Sequence, residues 1–225
     1  MRRENPSVSQ EDYLKAIWEI VQEEQAPISA RLAEDLGVTP PAVTAALKRM
    51  TRGGYLRVLR GGRIQLSAKG KGIAHHLVLR HRLAEKLLTE VIGVEWTRAH
   101  EEAEGLEHGI SPEVVRLLLK RFGRHSRCPH GVPLFGGLRR LRRRHGAVRL
   151  SACDVGRSYE VLRVYEKDPA FLDFIANLSM RPGARLRVLQ REYDETMTLR
   201  VAGRSGRVHL GKPATERIWV RAISP

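Results

Sequence analysis

The sequence predicts a mainly α-helical N-terminal part followed by a small all-β domain. In the first half of the chain, apolar residues recur three and four positions apart, as they do on one face of a helix. From about Ala147 onward they alternate with polar residues in short segments, which is typical of strands. A length of 225 residues is enough for two or three small domains. We expect three, covering residues 1–73, 74–140 and 147–225.

The first two helices are predicted from apolar spacing and from their end residues. The first covers residues 12–24, with Ser9 as its expected N-cap. Its apolar face consists of Leu14, Ile17, Trp18 and Val21. The second starts near Ser29, and Gly37 follows it, where glycine adopts a left-handed conformation at little cost. The residues this second helix is expected to bury are Leu32, Ala33 and Leu36.

A third helix and a hairpin complete the first predicted domain. The helix begins at Thr39-Pro40, an N-cap followed by proline at the first helical position, and ends at Gly53-Gly54. Its inner face consists of Val43, Ala46, Leu47 and Met50. Two short strands follow, Tyr55–Leu59 and Arg63–Leu66, joined by a tight turn at Gly61-Gly62. This order of elements predicts a winged helix-turn-helix.

A winged helix-turn-helix implies double-stranded DNA as a partner, with its third helix in the major groove. The exposed candidates for contact with base edges are Thr39, Pro40, Pro41, Thr44 and Ala45. None is Arg, Asn or Gln, so we expect readout through thymine methyl groups, hydroxyls and DNA shape. The candidates for phosphate contacts are Lys48, Arg49, Arg52, Arg60 and Arg63. Any one of these alone is more simply explained as ordinary surface charge.

Three further helices are predicted before the β segments. Ser67 is the expected cap of a long helix, roughly Ala68 to Ile92, and a shorter helix is expected from about Thr97 to Gly109. Ser111-Pro112-Glu113 opens the next one. Its apolar residues are Val114, Leu117 and Leu118.

The shorter of these helices concentrates residue types that bind metals. Residues three, four and seven apart share a helix face. The expected members of that face are His100, Glu104, Glu107 and His108. His81 and Glu85 form a second i, i+4 pair on the long helix. Imidazoles and carboxylates at this spacing suit a divalent transition metal, and carboxylates clustered without a cation would repel one another. One histidine alone would more simply be structural, but four candidate ligands on one face favour a metal site.

The formal net charge of +15 implies a polyanionic partner such as nucleic acid. Much of the excess lies between Glu113 and Asp154, an interval that contains no Asp or Glu. Its arginine cluster consists of Arg139, Arg140, Arg142, Arg143 and Arg144. Either a solvated linker or a segment that contacts phosphates or an acidic partner explains this run.

Two cysteines are too few for a disulfide framework, which fits a reducing cytoplasm. No apolar run approaches the ~20 residues of a membrane span. The first six residues lack the apolar core of a signal peptide. We therefore expect a cytoplasmic protein with no membrane partner.

Five motifs together resemble the DtxR/MntR family of metal-dependent repressors. They are Ser9–Leu14, Arg80–Glu85, His100–Glu104, Glu107-His108 and Cys128–Gly131. The resemblance covers nearly the whole chain, and the ligand spacing is far more specific than a helix-turn-helix alone. It implies a homodimer that represses genes for metal uptake when it is loaded with metal.

The resemblance implies a primary metal site formed by Asp12, His81, Glu104, Glu107 and His108. Iron-responsive members of the family have Met and Cys where this chain has Asp12 and Glu104, and hard carboxylates favour manganese. We therefore expect a Mn(II) sensor, with Fe(II), Zn(II) or Co(II) as alternatives. Lys15 stands where manganese-responsive members often have Glu, which argues against a close binuclear manganese pair. With Ser9 as N-cap, Asp12 would also occupy a position that stabilises the helix N-terminus.

The resemblance also implies a second metal site, in one of two versions. One version combines His81, Glu85 and His100 with residues of the C-terminal domain. The other combines Glu85, Cys128 and His130 with an aspartate of that domain, for which Asp168 is our choice and Glu166 the next. A thiolate ligand would also favour zinc or iron. Cys128 is almost as well explained as a buried residue at a domain junction.

Four alternating segments of the tail are expected as strands: Val161–Tyr165, Arg185–Gln190, Met197–Val201 and Val208–Leu210. Phe171–Ile175 is expected to form one or two helical turns. Met180–Leu186 resembles the FeoA/SH3-like barrel of the same repressors. Such barrels are packed interaction modules, although a purely structural appendage fits as well.

In this interpretation Asp12 belongs to the DNA-binding domain and the other primary ligands to a helical dimerisation and metal-sensing domain. A metal bound by both would favour one orientation of the DNA-reading helices, and a two-fold dimer would read a palindromic operator. The alternatives are an Fe(II)-responsive repressor of the same family and a metal-independent regulator whose His/Glu face is a polar dimer surface. An enzyme fits poorly, because the zinc-protease pattern H-E-x-x-H needs histidine where Glu104 stands.

Overall fold

The computed structural model describes residues 7–223, so residues 1–6 and 224–225 of the expected first and last domains lie outside it. The chain packs as two compact units. The first contains the described residues through Arg80 together with Glu107–Gly109. The second contains His81–Leu106 and the residues from Ile110 onward. Within residues 7–223, no helix combines the length and apolar character needed to cross a bilayer.

The first unit contains the helix-turn-helix with its hairpin that the sequence predicts. Its elements are α1 (Val8–Gln22), α2 (Ser29–Asp35), α3 (Pro40–Arg52), β1 (Leu56–Val58) and β2 (Ile64–Leu66). The two strands pair in antiparallel fashion around Gly61 and Gly62, whose φ angles of 79° and 75° require glycine. The four predicted inner residues of α3 are all buried. Val21, expected on the apolar face of α1, is exposed.

The N-terminus of α1 differs from the prediction in a way that matters for Asp12. Ser7, not Ser9, is the N-cap: its Oγ accepts a hydrogen bond from Gln10 N at 3.3 Å, and Ser7 N donates to Gln10 Oε1 at 3.0 Å. This is a capping box. Because α1 begins at Val8, Asp12 lies in its second turn, beyond reach of the N-terminal amides. The capping interpretation of Asp12 is therefore wrong.

The long helix and the helix after it are shorter than predicted, and a third helix follows where its start was expected. They are α4 (Ala68–Leu87), which ends in a π turn at Leu88–Ile92, α5 (Ala99–Leu106) and α6 (Pro112–Phe122). After α5, Glu107–Gly109 tighten into a 3₁₀ turn. Ser67 and Ser111 cap α4 and α6 as expected, since the hydroxyl of each accepts a backbone N–H three residues on.

The arginine-rich interval contains a helix that was not predicted from the sequence, α7 (Gly137–His145). Leu138 and Leu141 are buried on one side of α7, where they pack with Leu162 and Trp219. The segment is therefore an ordered amphipathic helix and not a linker.

The C-terminal part of the second unit is a six-stranded antiparallel sheet with the order β3-β8-β4-β5-β6-β7. Its strands are β3 (Val148–Arg149), β4 (Ser158–Val164), β5 (Arg185–Arg191), β6 (Met197–Val201), β7 (Val208–Leu210) and β8 (Ile218–Ile223). The four predicted strands are β4 to β7, and the predicted helical turns are α8 (Pro169–Asn177); α9 (Lys212–Thr215) is short. β8, which was not predicted, lies between β3 and β4.

Candidate metal centres

Asp12, Glu107 and His108 converge in the first unit and form what we call the α1 cluster. One ligand atom of each lies within 4.8 Å of those of the other two. His108 Nε2 is 2.9 Å from Asp12 Oδ1 and 3.7 Å from Glu107 Oε1. Asp12 comes from the second turn of α1, whereas Glu107 and His108 come from the 3₁₀ turn. Two carboxylates and one imidazole are therefore aimed at one small volume, as a divalent cation requires.

Two other side chains of α1 hold the α1 cluster in place. Glu11 Oε2 lies 2.8 Å from His108 Nδ1, so the second ring nitrogen faces a carboxylate. Lys15 Nζ donates to both carboxylate oxygens of Glu107 at 2.9 Å, and both side chains are buried. No role for Glu11 was predicted from the sequence. Glu11 directly precedes Asp12 in the sequence, so it could have been predicted to lie near the same histidine. Metal-binding histidines commonly direct their other nitrogen to a carboxylate.

The electrostatics of Asp12 favour a cation. Burial raises the pKa of Asp12 above its ordinary value, and the imidazole of His108 offsets only part of that effect. A divalent cation between Asp12 and His108 would replace the missing solvation. The oxygen and nitrogen donors of the α1 cluster therefore fit a bound metal ion.

The structure places the other two expected primary ligands, His81 and Glu104, in the second unit. The Glu104 side chain is 57% exposed, and its Oε1 lies 3.7 Å from His100 Nε2. The predicted common face of His100, Glu104, Glu107 and His108 is therefore divided. The physical reason is the change from α-helix to 3₁₀ turn after Leu106, which ends the regular spacing.

A second group, which we call the Glu85 cluster, is buried in the second unit. Its members are His81, Glu85, His100, Cys128 and His130. Glu85 Oε1 lies 3.1 Å from His130 Nδ1, 3.2 Å from His81 Nε2 and 3.3 Å from His100 Nδ1. Glu85 is 1% exposed, and its Oε2 has no hydrogen-bond partner among residues 7–223. Both predicted versions of the second site thus share one carboxylate.

In the Glu85 cluster, the carboxylate and the imidazoles favour each other's charged forms. Burial would raise the pKa of Glu85, but the imidazoles, His130 foremost, hold it well below its ordinary value. Burial would likewise lower the pKa of His130, but the carboxylate of Glu85 holds it well above. His130 Nε2 is fixed by the carbonyl of Trp96 at 2.9 Å, which leaves Nδ1 directed at Glu85. The unpartnered Oε2 and the converging imidazoles fit a divalent cation.

The Cys128–Gly131 turn brings a thiol to this cluster. Its backbone is tied to β4, because Val164 N donates to His130 O at 3.0 Å. Gly131 has a φ of 92°, and a Cβ there would lie 1.9 Å from Leu162 O, so only glycine permits this approach. Burial, then the charge of Glu85, raises the pKa of Cys128 to about 11. The thiol is therefore neutral at physiological pH and would have to lose its proton to bind a metal.

Asp168 lies in neither cluster. Its Oδ1 accepts the backbone N–H of Phe171 at 3.0 Å as the N-cap of α8, and its Oδ2 pairs with Arg217 at 2.5 Å. Glu166, the next choice, interacts electrostatically with the Glu85 cluster: burial would raise its pKa, but Arg163 and then the imidazoles of His100 and His130 lower it. The charges of His100 and His130 therefore favour Glu166 over Asp168, which is committed to Arg217.

All of the predicted DNA-contacting residues are exposed in the first unit: Thr39, Pro40, Pro41, Thr44, Ala45, Lys48, Arg49, Arg52, Arg60 and Arg63. The Thr44 hydroxyl donates to Pro40 O at 3.0 Å. In this conformation it can therefore only accept a hydrogen bond from a base edge. Accessibility agrees with the predicted role, which remains a prediction.

Comparison with known proteins accounts for nearly the whole described chain. Three family models match it: an iron-dependent repressor N-terminal DNA-binding domain over residues 7–60, an iron-dependent repressor metal-binding and dimerisation domain over 67–136, and a FeoA domain over 148–222. A solved manganese-dependent transcriptional repressor in complex with manganese is 31% identical, with a TM-score of 0.84 over 95% of this chain and 100% of the other. The chain belongs to the DtxR family of repressors.

Relatives within the DtxR family include the iron-dependent repressor IdeR of Mycobacterium leprae (strain TN), 39% identical over 126 residues, or 56% of this chain and 55% of the relative. The diphtheria toxin repressor of Corynebacterium diphtheriae is also 39% identical over 126 residues, or 56% of each chain. The match thus spans about half the length of these curated relatives. Iron and manganese both appear in the names of family members.

Proposed function

We propose that this DtxR-family chain is a metal-dependent, DNA-binding transcriptional repressor that controls metal-ion homeostasis and responds most strongly to Mn(II). The α1 cluster carries the proposal, because it joins Asp12 of the first DNA-binding helix to two ligands from a distant turn. The family is one of transcriptional repressors, and no catalytic role is assigned to any residue.

The α1 cluster provides a way to couple metal to DNA. Glu107–Gly109 pack in the first unit, but the chain on either side of them belongs to the second. A bound cation would strengthen the hold of α1 on this turn through Asp12 and His108. Glu11 keeps the His108 ring oriented throughout. Coupling then follows if the DNA-binding conformation is the one in which α1 and the turn are held together.

Donor chemistry supports Mn(II) as the first choice. The α1 cluster offers carboxylate oxygens and an imidazole with no sulfur, and oxygen-rich sites suit manganese. Its neighbour Lys15 disfavours a second metal ion close by. The Glu85 cluster, completed by Glu166, is the proposed second site, and its Cys128 thiol also admits zinc or iron.

We infer a cytoplasmic homodimer that binds a palindromic operator. One side of α6 leaves Val114 and Leu117 exposed, and apolar side chains on a helix surface suit a subunit interface. Two copies would present two α3 helices to successive half-sites.

The test is operator binding by the full chain at fixed salt, titrated with Mn(II), Fe(II), Zn(II) and Co(II), the iron series without oxygen. We expect His108→Ala to abolish metal-dependent binding while the fold is retained. His108 is preferred to Glu107 because removing Glu107 would take away the carboxylate that buried Lys15 contacts, at a cost of roughly 3–5 kcal/mol in the free energy of unfolding. Glu101→Ala, an exposed change on α5, is the control and should respond like the wild type.

A wild-type metal response in His108→Ala would exclude the α1 cluster as the sensing site. Operator binding that chelators do not affect would instead support the metal-independent regulator. A preference for Fe(II) over Mn(II) would identify the iron-responsive alternative.

A further inference from the structure

A basic cleft of about 250 Å³ lies in the second unit, where α7 faces the segment that follows α6. Its charged lining consists of Arg124, His125, Arg127, Arg140, Arg144 and His145. Arg140 and Arg144 are one turn apart on α7 and share the face that lines the cleft. Two chain segments therefore direct cationic side chains into one concave space, which lies outside both the α1 cluster and the Glu85 cluster.

Within residues 7–223, no carboxylate neutralises the cleft. None of its four arginines forms an ion pair with Asp or Glu in that part of the chain. The carboxylate whose charge acts on Arg127 is Glu160, which is already paired with Arg221 at 2.7 Å. Burial, then Arg127 and other surrounding arginines, lower the pKa of His145. The cations of the cleft thus repel one another without an internal counter-ion.

Part of the lining is also held in position. Arg140 Nη1 donates to Phe135 O at 3.3 Å, and Arg140 Nη2 lies 3.4 Å from His125 Nδ1. The Arg124 guanidinium lies over the Phe135 ring, 5.1 Å from its centroid. Guanidinium groups fixed in this way bind oxyanions with less loss of side-chain freedom.

Helix polarity explains only part of this charge. Arg144 and His145 lie in the last turn of α7, where cations are favoured by the helix dipole. That effect does not extend to Arg124 and Arg127, which belong to another segment. It also leaves the repulsion between the two segments uncompensated.

We propose that the cleft binds a compact phosphate-type oxyanion with two or more negative charges, of which pyrophosphate is the test case. The arginine forks match phosphate oxygens in geometry and charge. The cleft is smaller than the roughly 300–1,000 Å³ of pockets that hold drug-sized ligands, so a small anion fits it better than a whole nucleotide. No metal is required for this binding.

The experiment titrates pyrophosphate into the full chain by calorimetry, without added metal and at constant ionic strength. Arg140→Gln/Arg144→Gln removes two charges from the cleft. Arg139→Gln/Arg143→Gln removes two exposed charges from the same helix outside the cleft and is the matched control. We expect one pyrophosphate per chain, at least about tenfold weaker binding in the cleft variant, and less than a twofold change in the control.

Equal weakening in both variants would show a general charge effect and overturn the proposal, as would an absence of pyrophosphate binding to the wild type. A second arm measures the salt dependence of operator binding with Mn(II). The proposal expects the same slope in both double variants. A slope reduced by about 0.9 per phosphate contact in the cleft variant alone would reassign the cleft to DNA phosphates and overturn it too.

Discussion

The imidazole of His108 lies between two carboxylates of α1, Glu11 at one nitrogen and Asp12 at the other. Glu11 can orient the ring without competing for Nε2, so Nε2 and Asp12 are the atoms through which a metal would be recognised. Metal preference should therefore depend more on Asp12 than on Glu104, whose side chain is largely exposed.

Asp12→Met should shift metal preference from Mn(II) toward Fe(II). A thioether replaces a hard carboxylate oxygen, and softer donors disfavour manganese. We expect the ratio of half-activating Mn(II) to Fe(II) concentrations to rise about tenfold, which corresponds to ~1.4 kcal/mol. Operator binding titrated without oxygen measures this ratio. Glu104→Cys is the comparison, and a larger shift there than in Asp12→Met would contradict the argument.

Metal binding at the Glu85 cluster should strengthen as pH rises. The pKa of Cys128 is raised to about 11 and that of His130 is well above its ordinary value, so both are protonated near neutral pH and must release protons to bind a metal. Between pH 6 and 8, Zn(II) affinity should gain up to about tenfold per pH unit for each proton released. Cys128→Ser should reduce the released protons by one, measured by calorimetry in buffers of different ionisation enthalpy.

Cys153→Ser is the control for that experiment. Cys153 is also a buried thiol of the second unit with a pKa of about 11, but it lies outside the Glu85 cluster. It should leave proton release unchanged. If the number of protons released on metal binding falls by one in both variants, or in neither, Cys128 is excluded as a ligand.

Among the elements, helices with regularly spaced apolar residues could be predicted from the sequence, whereas local departures from helix geometry could not. The inner face of α3 was predicted residue by residue because four apolar positions repeat at helical spacing. The 3₁₀ turn at Glu107 left no signal in that spacing, so the common ligand face was predicted undivided. The buried Leu138 and Leu141 of α7 were obscured by five surrounding arginines.

The residues of the candidate sites were predictable by type, but their grouping depended on tertiary contacts. Asp12, Glu107 and His108 were predicted as ligands of one site, and the folded chain brings their side chains together. Asp168 and Glu166 are two residues apart and chemically alike, and only the folded chain shows that Asp168 is committed to Arg217. Ser7 and Ser9 presented the same ambiguity at the start of α1.

Gly131→Ala should destabilise the second unit and disconnect the Cys128–Gly131 turn from β4. The new Cβ would lie 1.9 Å from Leu162 O, so the backbone must move. Gly93→Ala is the matched control, because Gly93 has a φ of 88° with nothing within 4 Å of a Cβ. We expect the free energy of unfolding to fall by about 1 kcal/mol in the control and by roughly 1–3 kcal/mol more in Gly131→Ala, measured by urea unfolding. Equal decreases would contradict the close approach.

At the scale of the whole molecule, positive charge is divided between a DNA-reading unit and a basic cleft with a separate proposed role. If the cleft has that role, we expect fewer positive charges to contact DNA than the net charge of +15 suggests. Salt dependence of operator binding distinguishes the two populations, since each phosphate contact contributes about 0.9 to the log–log slope.

Lys48→Gln/Arg60→Gln should flatten the salt dependence of operator binding, by about 0.9 for each phosphate that the variant no longer neutralises. Arg139→Gln/Arg143→Gln removes the same charge from α7 and should leave the slope unchanged. Fluorescence anisotropy of a labelled operator at several salt concentrations measures both. Equal flattening by the two variants would mean that α7 also binds DNA.

If the α1 cluster senses metal as proposed, the buried contact between Lys15 and Glu107 should raise the metal concentration needed for a response. The ammonium already balances the Glu107 carboxylate, so an arriving ion gains less attraction there than at an uncompensated acid. We expect half-maximal response at a higher free-metal concentration than a carboxylate at position 15 would give. A repressor with that threshold would not respond to trace amounts of metal and would respond only to an excess.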